Sequence, residues 1–273
     1  MDDARAYALG DSAEEHRRLM LQSRFIGELT EALFARAGLA EGMHVLDVGC
    51  GAGDVSLLAR DFVGERGSVL GIDRSADSVA LAQRRAQSSG YRNVTFEQTT
   101  LEDLRAHGPF DALVGRLILL YLPRPAEALA QLVRLVRPGG LVIFQEMDMA
   151  TGRSLPELPL YRRIGHWITT TFQRAGVDIE MGSRLFETFR RAGLPAPELL
   201  SAARAVGGDC PELSAWLAGT LGSLLPLAEK LGVVTRDEVQ IDTLASRVCA
   251  EIVASGGVVH TPVYVGAWAR TAG

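Results

Sequence analysis

The sequence predicts a doubly wound α/β fold, a parallel sheet with helices on both faces, extended by helical insertions toward the C-terminus. Three observations predict it. Short apolar runs at 43–48, 68–72, 94–97, 110–115 and 141–145 alternate with helix-period segments at 55–62, 76–88 and 125–136. Such alternation builds a parallel sheet joined by right-handed crossovers. Gly49, Gly51 and Gly53 cluster between the first run and the first of these helices, and the second run ends in Asp73. A ligand on this kind of sheet sits at the carboxyl ends of the strands, where such turns lie.

The elements follow in order. Ser12 and Glu15 read as a capping box opening a helix over 13–37, with apolar residues at helical spacing and Gly38 as its stop. Ser75 caps the helix over 76–88, and Gly90 ends it. The helix over 125–136 begins with proline, which the first turn tolerates, and Pro138-Gly139-Gly140 breaks it. Beyond Glu146 the pattern is less regular. Helices are expected over 161–174, 184–191, 214–231 and 237–254, a sixth strand within 197–206 and a last strand over 262–269.

Composition narrows the class. Of 273 residues, 47% are hydrophobic and 22% charged, which excludes a disordered or low-complexity chain. A net charge of −5 disfavours binding to nucleic acid, which needs a basic face. The three cysteines, Cys50, Cys210 and Cys249, fit neither a zinc spacing nor a disulfide framework. The apolar stretch at 117–122 is far too short to span a bilayer, and no signal-peptide pattern opens the chain. The expectation is a soluble, cytoplasmic protein with a small-molecule substrate, no nucleic-acid or membrane partner and a possible homodimer.

The glycine loop, Val45 to Gly53, is the sharpest motif. Glycines at a strand–helix turn let the backbone approach a ligand closely. A dinucleotide fingerprint places its third glycine at the sixth position, which here is Asp54. An acid at a helix start opposes a pyrophosphate, and Asp47 adds a second carboxylate upstream. That field suits a sulfonium or an amino acid better. A carboxylate at the end of the second strand, Asp73, accepts the hydroxyls of a ribose in either cofactor class.

Leu46-Asp-Val-Gly-Cys-Gly-Ala-Gly53, Gly71-Ile-Asp-Arg-Ser75, Phe110-Asp-Ala-Leu113 and Val136-Arg-Pro-Gly-Gly140 occur in order over 43–146. In these motifs the chain resembles the class I S-adenosyl-L-methionine-dependent methyltransferases, and among them the ubiquinone/menaquinone-biosynthesis-type small-molecule group. The resemblance implies a Rossmann-like seven-stranded sheet with an antiparallel last strand. It implies a helical flap over 1–42, a cofactor-binding core over 43–146, and a helical cap with the sheet-completing strands over 147–273. It also implies S-adenosyl-L-methionine as cofactor. Gly49 and Gly51 would line its methionine part, beside Asp47. Asp73 would hold the ribose, and Arg74 would flank the adenine. Thr100 and Leu101 stand where the family often carries an acid for the adenine amino group. Arg116 stands where a backbone carbonyl usually meets the cofactor, and Tyr7 and Arg18 fall on the flap.

Segments 115–122, 146–179 and 207–261 are expected to emerge over the cofactor as a cap. Tyr121 and Trp167 are candidate substrate contacts. Tyr161, Phe172, Trp216 and Tyr264 are further aromatics available to line the chamber. Methyl transfer is an in-line displacement that needs alignment and, for a hydroxyl acceptor, a base. Glu146, at the end of the fifth strand, is the first candidate for a base or substrate anchor, followed by His166 and His260. The fourth strand ends in Gly115-Arg116 with no acid, so no catalytic metal is expected.

Overall fold

The computed structural model describes residues 26–101, 103–104 and 108–273. These form two compact units. One comprises 26–146, 181–201 and 265–273, the other 147–180 and 202–264. The predicted capping box at Ser12, and Tyr7 and Arg18, lie outside the described residues.

The first unit is built on a seven-stranded sheet. Its strands are β1 (His44–Val48), β2 (Ser68–Asp73), β3 (Val94–Gln98), β4 (Phe110–Arg116), β5 (Val136–Asp148), β7 (Glu198–Ala202) and β10 (Val263–Arg270). Their order is β3-β2-β1-β4-β5-β10-β7, six parallel and the last strand, β10, antiparallel. The expected doubly wound sheet with an antiparallel last strand is therefore present. Residues such as Val45, Val69, Val114 and Ile143 are buried, as strands covered on both faces require.

Helix α1 covers 26–37 and ends at Gly38, whose φ of 83° is the left-handed stop and whose amide donates to the Phe34 carbonyl at 3.1 Å. α2 is Asp54–Val63 and α3 is Ala76–Ser88. The Ser75 hydroxyl accepts from the Ser78 amide at 3.2 Å, the predicted N-cap. α4 is Pro125–Val133 and α6 is Met181–Arg191. One expectation fails here. Pro138-Gly139-Gly140 does not lie before the fifth strand but inside β5, which begins at Val136. The pairing with β4 shifts register, from Phe110 opposite Val136 to Ala112 opposite Leu141. A bulge absorbs the extra residues.

The second unit holds α5 (Pro159–Arg174), α7 (Pro211–Lys230), α8 (Arg236–Val239) and α9 (Ile241–Ser255). It also holds an antiparallel sheet of β6 (Arg153–Leu155), β9 (Val258–His260) and β8 (Ala205–Gly207), in that order. The predicted helix over 237–254 is two helices, because Gln240 adopts a φ of 50° between them. The predicted strand within 197–206 is likewise two, β7 and β8. Leu213, Trp216, Leu217, Leu221, Leu224 and Leu225 are all buried, with α7 packed on α5 and α9. Each leucine so covered contributes about 1.5–3 kcal/mol. The apolar stripe that asked for a partner surface thus finds it within its own unit.

Candidate active site

The site begins where β1 turns into α2. Gly49, Gly51 and Gly53 have φ of 67°, 51° and 85°, a left-handed run that side chains resist. The turn is held to the neighbouring strand: the Cys50 amide donates to the Ile72 carbonyl at 2.9 Å. Gly53 is packed so closely that a Cβ there would lie 3.0 Å from Ala82 Cβ and from Phe96 Cζ.

Asp73 ends β2 beside this loop. Its Oδ2 accepts from the Gly51 amide at 2.9 Å and its Oδ1 from the Ser75 amide at 2.9 Å. The carboxylate therefore fixes the glycine loop to the β2–α3 turn. Arg74 is exposed, and its carbonyl accepts from Gln98 Nε2 at 3.3 Å. Thr100 is turned inward on its own loop. Its hydroxyl donates to Asp103 Oδ2 at 2.9 Å and accepts from the Asp103 amide at 3.1 Å. Sequence reasoning missed Asp103, although a threonine three residues before an acid signals such a turn. Leu101 is half-buried.

Asp47 lies beneath the loop, 1% exposed. Its Oδ2 accepts from the Ser56 hydroxyl at 2.5 Å, while Oδ1 has no hydrogen-bond partner among the described residues. Burial pushes its pKa up to about 7, with Ser56 and the Arg116 charge opposing and Asp73 and Asp54 adding to the rise. The folded chain thus binds this proton more tightly than the unfolded chain, so stability falls as pH rises from about 4 to about 7. Asp47→Asn is expected to flatten that slope in urea unfolding between pH 4.5 and 8. An unchanged slope would show that Asp47 is not the group responsible.

Asp54 has a partner that sequence reasoning missed: Arg85 Nη2 lies 2.7 Å from its Oδ1, which offsets part of its charge at the helix start.

At the end of β4, Arg116 Nη1 donates to Thr30 Oγ1 at 3.1 Å, and that hydroxyl donates to Gln145 Oε1 at 2.7 Å. Thr30 and Gln145 are both buried, and neither was legible as a partner, since α1 and β5 are distant in sequence. Tyr121 is half-buried in a short turn over Leu119–Tyr121. Glu146 is fully buried, and its Oε1 accepts from the Ile118 and Leu119 amides at 3.0 and 2.8 Å.

The remaining candidates belong to the second unit. His166 is exposed on α5, with Nδ1 3.5 Å from Thr170 Oγ1. Trp167 is half-buried under the Arg163 guanidinium, 5.4 Å from its ring centre. His260 ends β9, half-buried, and its carbonyl accepts from the Tyr161 hydroxyl at 2.9 Å. Tyr161, Phe172, Trp216 and Tyr264 are buried. Among the described residues, no three His, Cys, Asp or Glu side chains are grouped as metal ligands would be, and no helix is long and apolar enough to cross a membrane.

A family model described as a methyltransferase domain matches residues 39–179. The chain belongs to the methyltransferase-domain family. Within it, the ubiquinone biosynthesis O-methyltransferase of Sodalis glossinidius is 36% identical to this methyltransferase-domain chain over 117 residues, 42% of this chain and 46% of that protein. The arsenite methyltransferase of Aquipseudomonas alcaligenes is 34% identical over 117 residues, 40% of this chain and 34% of that protein. The match thus spans less than half the length of either relative. Of solved structures, the [4+2]-cyclase SpnF is 26% identical, with a TM-score of 0.53 over 90% of this chain and 80% of that one. The YcgJ protein of Bacillus subtilis shares the fold, with a TM-score of 0.60 at 17% identity over 90% of this chain and 99% of that one.

Proposed function

We propose that this methyltransferase-domain protein transfers the methyl group of S-adenosyl-L-methionine to a small, partly apolar metabolite. The observation that carries the reading is the joint between Asp73 and the Gly51 amide, which sets a carboxylate beside the glycine turn at the strand ends. The residues present fit the cofactor: the unpartnered, buried Asp47 Oδ1 supplies acidity under the loop. Gly49 and Gly51 would receive the methionine part and Asp73 the ribose hydroxyls. Arg74, Thr100 and Leu101 would border the adenine, the backbone at Arg116 would meet the cofactor's amino group, and Tyr7 and Arg18 are proposed as cofactor contacts by the family resemblance alone. When bound, the cofactor supplies an electrophilic methyl group. The chain's part is then to orient the acceptor in line with it and exclude water.

For a hydroxyl acceptor we take His260 and His166 as proton acceptors ahead of Glu146, whose Oε1 already accepts two amides. Tyr121 and Trp167 are the aromatics proposed to meet the acceptor. The names of the two relatives, one for a ubiquinone-pathway O-methylation and one for arsenite, support a small acceptor over a macromolecule. The net charge of −5 supports the same choice over nucleic acid. A cytoplasmic location and a homodimer of this chain belong to this reading.

Calorimetry with adenosylmethionine, its demethylated product and NAD tests the cofactor. Release of the demethylated product with phenolic acceptors, in chelator, tests the reaction. Binding of NAD alone would overturn the reading, and turnover lost in chelator but restored by magnesium would overturn its metal-free form.

A further inference from the structure

The segment after β4 is built in an unusual way. Leu117 has a φ of 55°, a region that only glycine enters without strain. Three successive amides then face β5. The Leu117 amide donates to the Gln145 carbonyl at 2.9 Å. Those of Ile118 and Leu119 donate to Glu146 Oε1 at 3.0 and 2.8 Å. Leu119 and Leu120 are each 1% exposed, so the turn is anchored in the core. Without the carboxylate, the buried Leu119 amide has no acceptor, and an unmet buried donor is costly.

The left-handed turn folds the Ile118 side chain back over the ends of β1 and β4. A Cβ added to Gly49 would lie 2.8 Å from Ile118 Cδ1. One added to Gly115 would lie 3.1 Å from Ile118 Cγ2. Val48 and Gly115 are paired neighbours on these strands. Ile118 therefore packs against the first glycine of the loop.

We infer that Glu146 is a positioning residue: its carboxylate clasps residues 117–119 and so holds Ile118 as a wall against Gly49. A general base must reach a substrate proton, whereas this group is fully buried and its Oε1 already accepts two loop amides. The clasp is a property of the chain alone. Its value to cofactor binding rests on the function proposed above.

Hydrogen exchange in the ligand-free protein reads the clasp, and calorimetry with adenosylmethionine reads its consequence. In Glu146→Ala, exchange is expected to quicken at least about tenfold across 117–121 and 49–53 together. Glu146→Gln keeps an oxygen acceptor and is expected to protect both segments to within about threefold of the parent. Ile118→Ala leaves the clasp but removes the wall, so exchange rises at 49–53 alone and adenosylmethionine affinity falls. Glutamine exchanging as fast as alanine at residue 146 overturns the inference. So does a glycine loop that stays protected in Ile118→Ala, the variant that decides if Glu146→Ala does not fold. A parent protein that binds no adenosylmethionine sinks the proposed function while leaving the exchange pattern, and the clasp, intact.

Discussion

Gly49→Ala is expected to lower unfolding stability by about 2–5 kcal/mol and to weaken adenosylmethionine binding at least about tenfold. Two costs combine. A φ of 67° strains any residue with a Cβ, by about 1–2 kcal/mol. The new Cβ would also lie 2.8 Å from Ile118 Cδ1 and 3.0 Å from its Cγ1, and crowding of this kind costs about 1–3 kcal/mol. Rotation of the half-buried Ile118 side chain relieves only the contact with its tip, since its backbone is tied to Glu146 and its Cβ would also lie 3.3 Å away. Gly90→Ala is the control, since φ there is 72° with nothing within 4 Å of the added carbon. It bears the strain without the overlap. Equal losses in the two variants, measured by urea unfolding, would remove Ile118 from the account. Recovery of part of the loss by adding Ile118→Ala to Gly49→Ala would confirm it.

Asp73→Ala is expected to weaken adenosylmethionine binding about tenfold to a hundredfold, because a hydrogen bond to a charged group is worth about 1.5–3 kcal/mol. Its carboxylate has two tasks. It accepts the Gly51 and Ser75 amides, and we propose that it accepts ribose hydroxyls as well. Asp73→Asn separates them. The asparagine oxygen still takes one amide, but its NH2 group cannot accept a hydroxyl proton. An Asn variant with normal exchange at 49–53 and weakened binding assigns the ribose role to the charge. Unchanged calorimetric affinity in both variants would refute that role.

Legibility in the sequence followed the range over which each feature acts. Ser75 and its helix were readable because a cap is settled within four residues. The strands of the sheet's centre were readable because burial on both faces leaves an unbroken apolar run. Strands β6, β8 and β9 have three residues each, too few for a period to register, and they exist through pairing with one another. Pro138-Gly139-Gly140 carried a breaker signal that the register shift against β4 overrode. Gln240 carried no breaker signal, yet it turns left-handed between two helices. At the site, the glycine loop and Asp73 were legible as a motif. Their modifiers were not: Arg85 pairs with Asp54 from 31 positions away, and Glu146 meets its amides 27 and 28 positions upstream. Pairings at that distance leave no mark on local pattern.

The place of β10 between β5 and β7 has a consequence for how the chain is made. Strand β7 leaves the ribosome with no neighbour to pair with, because the strand that links it to the sheet is encoded some sixty residues later. At bacterial or eukaryotic elongation speeds that interval is about 3–12 s. During it the growing chain presents unsatisfied strand margins on β5 and on both sides of β7, each a template for mispairing with another nascent copy. Clipping residues 263–273 would therefore release β7 as well, and the yield of folded protein should depend on chaperone occupancy more steeply than for a sheet whose strands pair in the order they emerge.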